Sequence, residues 1–256
     1  MRKHGLLVTF GIVAAGLGCG PRGGTDVGNG VTATFDVSAY KGAGTDEVST
    51  LSSGARVDAF WISVAGFRLL PGAGCTGSSG EGQLTLDGPI VANLAEQDAA
   101  PGSSDDVAVD GGEYCRLRAS LEQASASDLP PGAPASLEGA SLYLEGVRAD
   151  GTPFRLRSKR KVSLQLDAPE GTSFELAGDS HLVVAFDLEE AVASLDLDTL
   201  DGDDEIVIDE TIEPQRLTAF EGSLRTAARL FRDEDDDGIL SEAEASPGKA
   251  LARGEL

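Results

Sequence analysis

From Val31 onward, apolar and polar side chains alternate with a period of two, the pattern of strands buried on one face. Val31, Ala33, Phe35, Val37 and Ala39 fall on one side, with Thr32, Thr34, Asp36 and Ser38 on the other. In Val57–Leu70, Phe60, Ile62 and Val64 share a face, and Phe67 and Leu69 take over after Gly66. That change of parity predicts a β-bulge at Ala65-Gly66. Cys115, Leu117, Ala119 and Leu121 make another inward row, with Arg116 and Arg118 outward. Ala140, Leu142 and Leu144 alternate before Asp150-Gly151, and Phe154 and Leu156 after it. Asp-Gly supplies the positive φ angles of a tight turn and predicts a hairpin. Further rows are Val162, Leu164, Leu166; Phe174, Leu176; and Leu182, Val184, Phe186, Leu188. Short strands separated by Pro- and Gly-rich breaks predict a mainly β chain, folded as an antiparallel β-sandwich of immunoglobulin- or prealbumin-like type.

Helix is expected only late. Glu189–Ser194 has room for one or two turns. In Ser223–Arg232, the residues Leu224, Ala227, Ala228 and Phe231 share a helical face, and Ser223 can cap it. Together with the residues after it, this helix predicts a small C-terminal helix–loop–helix.

The first residues obey a different rule. Met1-Arg2-Lys3-His4 is cationic, and an apolar run from Leu6 to Leu17 comes next, too short for a membrane span. The run ends at Gly16-Leu17-Gly18-Cys19, which resembles the lipobox of bacterial lipoproteins, with the leucine one place later than is usual. The resemblance implies a signal peptide over residues 1–18 and a diacylglyceryl group on Cys19; the alternative is cleavage elsewhere. Residues 19–30 are rich in Gly, Pro and Asp and predict a flexible tether. Gly20, where an Asp would signal retention, implies export to the outer membrane. The expected organisation is completed by a β-sandwich over 31–215 and a calcium-binding segment over 216–256.

Charge narrows the function classes. The chain carries 43 acidic and 20 basic residues, a net charge of −23. Such a surface argues against nucleic acid as a partner, because binding there requires cations to displace counterions. Of three cysteines, Cys75 and Cys115 remain once Cys19 is assigned to lipid. In an oxidising compartment a pair is expected to bridge, closing a loop of about forty residues worth roughly 3–4 kcal/mol. The alternative is two free thiols.

The order of strand Val57–Leu70, the segment Gly112-Glu113-Tyr114-Cys115-Arg116-Leu117, the hairpin ending Gly151-Thr152-Pro153-Phe154-Arg155-Leu156, and Leu182–Leu188 resembles an uncharacterised family of exported bacterial β-sandwich lipoproteins. The resemblance covers Val31 to Ile212 and implies a sandwich fold, with no activity attached.

The sharpest chemical pattern runs from Asp233 to Glu244, Asp-Glu-Asp-Asp-Asp-Gly-Ile-Leu-Ser-Glu-Ala-Glu, and it matches an EF-hand calcium loop position by position. Asp233, Asp235 and Asp237 would supply carboxylate oxygens, Ile239 its backbone carbonyl, Ser241 a direct or water-mediated contact, and Glu244 two closing oxygens. Gly238 stands where the backbone must turn. Ca²⁺ takes six to eight oxygens at about 2.3–2.6 Å, which this spacing can wrap around one point. The alternative is an acidic solvated turn. Pro247-Gly248 leaves little room for an exiting helix, and no second loop is available to pair with it. Weak binding and a structural role are therefore expected. The acidic stretch Asp196–Glu205 lacks this spacing and reads as a solvated loop, with weak secondary calcium binding as the alternative.

Other chemistry is sparse. His181 is the only His outside the signal and reads as a surface residue. Arg148, Arg155, Arg157, Lys159, Arg160 and Lys161 form a basic stretch, read as a solvated edge or, alternatively, a patch for an acidic polymer or envelope lipid. The expected function is a non-catalytic lipoprotein of the cell envelope that binds calcium and serves structure or adhesion, with a membrane anchor and an envelope protein or polysaccharide as partners. The alternative is a carbohydrate-binding module using Trp61, Tyr114 and Tyr143 as exposed platforms.

Overall fold

The longest alternating stretch organises the molecule. A computed structural model describes residues 30–40, 49–72, 84–95, 102–200, 204–246 and 248–255. Its strands are β1 (Gly30–Tyr40), β2 (Arg56–Pro71), β3 (Leu84–Asn93), β4 (Gly102–Ser103), β5 (Val107–Asp110), β6 (Gly112–Leu121) and β7 (Leu142–Val147). After these come β8 (Pro153–Ser158), β9 (Val162–Asp167), β10 (Phe174–Leu176), β11 (Ser180–Asp187), β12 (Ile206–Ile208), β13 (Ala228–Asp233) and β14 (Ala252–Gly254). Along one edge β2 pairs with β3; along the other it pairs with β7 through residues 56–62 and with β6 through 64–71. The ladder register shifts between Val64 and Gly66 on both edges, where the parity change predicted the bulge. A Cβ at Gly66 would stand 2.4 Å from the Leu86 carbonyl oxygen, so the close approach of β3 requires glycine there. The Asp150-Gly151 hairpin joins β7 to β8, with Gly151 at φ +89°.

These strands form one open, mixed sheet in the order β12-β8-β7-β2-β6-β9-β14-β13-β11-β1-β4, with β3, β5 and β10 on side branches. The expectation of a purely antiparallel sandwich is corrected here, because β1 pairs with β11 and β8 with β12 in parallel. Alternation reports which face is buried and is blind to the direction of the neighbour. The sheet curls so that its β4 end approaches the β3 branch: a Cβ at Gly102 in β4 would touch both Ala92 and Ile90 of β3, at 2.8 Å. Inside the curl, Phe35 of β1 stacks on Phe67 of β2 at 5.1 Å. Two helices, α1 (Leu188–Ala193) and α2 (Pro214–Ala227), also pack on this core. Asp187 caps α1, accepting from the Glu190 N–H at 3.1 Å. From α2, Leu217, Phe220, Leu224 and Ala227 turn inward, and Phe220 meets Phe60 at 5.8 Å.

The expected helix Ser223–Arg232 is a second correction. Pro214 starts the helix earlier, and it ends at Ala227. Residues 228–233 form β13, paired with Phe186–His181 of β11. Ala228 and Phe231 satisfy a helical period, yet Ala228 and Leu230 also satisfy a strand period, and the waiting edge of β11 decides between them. Among the described residues no exiting helix comes after the loop; residues 242–244 make a turn before β14. The predicted loop thus connects two antiparallel strands of the sheet and is not flanked by two helices.

Cys19 and Cys75 lie outside the described residues, as do the signal and tether segments apart from Gly30. Cys115 is buried on β6.

Candidate metal centre

Asp233 ends β13 and is buried. Its Oδ1 accepts the N–H groups of Asp235 (3.2 Å) and Asp236 (3.0 Å), and its Oδ2 accepts that of Gly238 (2.7 Å). One carboxylate therefore folds the first half of the loop around itself. The turn needs left-handed backbone at Asp236 (φ +58°) and Gly238 (φ +78°). Ligand oxygens of Asp233, Asp235 and Asp237 come within 4.8 Å of one another. Asp235 and Asp237 are exposed, so the cluster opens to solvent. Asp235 is held above the usual carboxylate range, first by its hydrogen bond with the Asp233 side chain, then by desolvation and the charges of Asp237 and Glu244. Such mutual penalty is what a divalent cation relieves.

Glu244 stands outside this group of three. Its Oε1 accepts the Glu234 N–H at 2.7 Å; its Oε2 accepts the Ser241 N–H at 2.9 Å and the Ser241 hydroxyl at 2.5 Å. The Ser241 hydroxyl and the Glu234 N–H hold its carboxyl below the ordinary glutamate value. The closing residue is thus ionised and tied to both ends of the loop. Ile239 donates its N–H to Asp237 Oδ1 at 2.8 Å and leaves its side chain in solvent. Leu240 turns down instead. With Ala250 it packs on Tyr40, Val183, Ala185, Phe231 and Ala245, and Tyr40 meets Phe231 edge-on at 5.2 Å. An apolar seam thus lies between the loop and the outer face of β1, β11 and β13.

The donor set fits a hard cation. Every side chain offered is a carboxylate or a hydroxyl, Asp233 is anchored before any ion arrives, and no His or Cys joins the group.

Two residues beneath the loop escaped sequence reasoning. His181 does not sit free on the surface. Its Nδ1 lies 3.3 Å from Asp233 Oδ2 and its Nε2 lies 2.5 Å from Asp36 Oδ2. Asp36 is 1% exposed, and desolvation raises its pKa, against the lowering influence of Ser103 and His181. Alternation puts Asp36 on the outward row of β1, yet it is buried there, against His181 and Ser103. The signal for this was the unbroken apolar run Leu182–Phe186, which fits a strand covered on both faces.

No protein-family model matches the chain. No curated protein or solved structure is significantly similar to it either.

The remaining candidates are occupied internally. Arg148 pairs with Asp150 (3.0 Å), Arg155 with Glu205 (3.3 Å), Arg160 with Glu221 (3.3 Å), and Lys161 with Glu122. Arg157 donates to the carbonyls of Ser136 and Glu138. The basic stretch is therefore largely balanced by its neighbours. Asp196 accepts from Thr199 and Arg216 and fastens its loop to α2. Trp61, Tyr114 and Tyr143 are buried, so the aromatic platforms of the carbohydrate-binding alternative are not on the surface.

Proposed function

We propose that this chain is a non-catalytic lipoprotein of the bacterial envelope, anchored through Cys19, whose loop from Asp233 to Glu244 binds one calcium ion as a structural clip. The observation that carries the calcium reading is the convergence of Asp233, Asp235 and Asp237 around one point, with the first of them already braced by three backbone N–H groups. Ile239, Ser241 and Glu244 would complete the oxygen shell, and the ion would neutralise a cluster whose charges oppose one another. Because the loop joins β13 to β14 and packs its apolar side on β1 and β11, an ion there would fasten the outer layer to the sheet. Export and lipid attachment rest on the N-terminal pattern alone, as does placement in the outer membrane. A structural or adhesive role, with an envelope protein or polysaccharide as partner, accords with a single loop that lacks a second one to pair with.

Thermal unfolding with millimolar calcium and with chelator tests the ion. A loop of roughly 10⁻⁴ to 10⁻³ M affinity should raise the melting temperature by about 3–5 °C in tenfold excess. Glu244→Gln and Asp233→Asn should remove most of that rise, and equal melting of the wild type in both conditions defeats the reading. Labelled palmitate tests the anchor: incorporation should vanish in Cys19→Ser.

A further inference from the structure

The outer face of β2, β6 and β9 carries three cross-strand rows. Gly66 stands opposite Ser120 and Ser120 opposite Ser163; Arg68 stands opposite Arg118 and Arg118 opposite Gln165; Leu70 stands opposite Arg116 and Arg116 opposite Asp167. Arg116 is neutralised by its ion pair with Asp167. Arg68 and Arg118 are not: among the described residues neither guanidinium has a hydrogen-bond or ion-pair partner. Their Cα atoms, as direct partners in an antiparallel ladder, are roughly 4.5–5.5 Å apart. Like charges directly opposite destabilise a sheet. The nearby carboxylates of Asp167 and Glu122 are engaged by Arg116 and Lys161 instead.

A groove of about 580 Å³ lies over these rows, within the size range of small-molecule sites. Gly66 lines it without a side chain and Ser163 with a hydroxyl, while Ser120 and Gln165 line it with groups that also donate to Glu122 and Asp167. Glu122 and Lys161 also line it, but they are paired with each other. Two adjacent guanidinium forks, flanked by hydroxyl and amide groups, match a tetrahedral oxyanion carried on a polar body.

We propose that this groove binds a small phosphate or sulfate ester of about monosaccharide size, with Arg68 and Arg118 gripping the oxyanion and Ser120, Ser163 and Gln165 facing the rest of the molecule. A dianion between the two forks neutralises both, whereas a monocarboxylate leaves one charge uncompensated. A soluble ester is favoured over an anionic membrane surface because the net charge of −23 repels such a surface at long range. The site does not depend on calcium.

Calorimetric titration with glucose 6-phosphate, glucose, and vesicles containing phosphatidylglycerol tests this on the purified protein, beside Arg68→Gln, Arg118→Gln, the double variant and Arg56→Gln as a control. Glucose 6-phosphate should bind and glucose should not. Each groove substitution should weaken binding at least tenfold, the double variant should show none, and Arg56→Gln should match the wild type. The unliganded double variant should melt no lower than the wild type, because the opposed charges are gone; a purely structural role for these arginines predicts the reverse. Absence of binding to the ester, equal binding of glucose, binding to vesicles alone, or ester affinity unchanged in the double variant would each overturn the proposal.

Discussion

His181 Nδ1 stands 3.3 Å from Asp233 Oδ2, joining the sheet to the residue that opens the acidic loop. Its other nitrogen faces Asp36, so one imidazole separates two buried carboxylates. Replacing His181 by Ala would leave Asp36 buried without its closest partner. A loss of about 1–3 kcal/mol in urea unfolding is expected. A change within the error of the measurement would show that water or rearrangement supplies what the ring does. Calcium titration of the same variant should also show weaker binding, since Asp233 loses a contact that holds its carboxylate.

Gly238 sits at φ +78° and donates its N–H to Asp233. Gly238→Ala places a side chain in the left-handed region, at about 1–2 kcal/mol. Chemical denaturation should register that loss in chelator, and the variant should need more calcium to reach its full melting temperature. An alanine variant as stable as the wild type would mean that the turn relaxes to another conformation.

Asp187 caps α1 while burial raises its pKa above the usual aspartate value; the backbone N–H groups of Glu190 and Glu189 oppose the shift. A carboxyl raised in the folded state favours the protonated form. Its stabilising share is complete below the unfolded-state value and is lost as pH climbs through the folded one. At neutral pH the charged group is therefore a net penalty. Asp187→Asn keeps a capping oxygen and removes the charge. It should raise the melting temperature at pH 7, with the gain fading as pH falls below the ordinary aspartate range. A gain independent of pH would assign the effect to something other than ionisation.

Phe60 and Phe220 join the long strand to the helix at 5.8 Å. Truncating either to Ala should cost about 3–5 kcal/mol, and the double variant less than the sum, because the second truncation enlarges an existing cavity. Additivity in a double-mutant cycle would indicate that the rings are supported independently.

Under the proposed export, Cys75 and Cys115 should form a disulfide. Thiol labelling of the unfolded, unreduced chain should find neither cysteine reactive, and reduction should lower stability by roughly 3–4 kcal/mol. Free thiols at both positions would remove the bridge.

Local features are legible in the sequence alone. The bulge is marked by the parity change across Ala65-Gly66, and the β7–β8 turn by Asp150-Gly151, because each is determined by neighbours in sequence. The oxygen-bearing positions around Asp233 are equally plain, and three of them converge. What is not legible depends on distant partners. The stretch Ala228–Asp233 carries both a helical and a strand period, and only the edge of β11 selects one. The direction of β1 against β11 leaves no mark in either strand. Asp36 and His181 look solvent-facing in sequence because Asp233, which meets the His181 ring, belongs to the far end of the chain.

That placement bears on how the molecule comes into being. Ala33 in the opening strand lies against Ser180, and the Thr32 N–H reaches Asp179, 147 residues downstream. A chain synthesised from its N-terminus therefore exposes β1 long before β11 has emerged. Pairing of β1 with β11 must wait for most of the polypeptide, and such late, long-range closure is slow. During that interval the unsatisfied strand is open to wrong neighbours, so folding of this protein should lean on a holding chaperone until its last strands arrive.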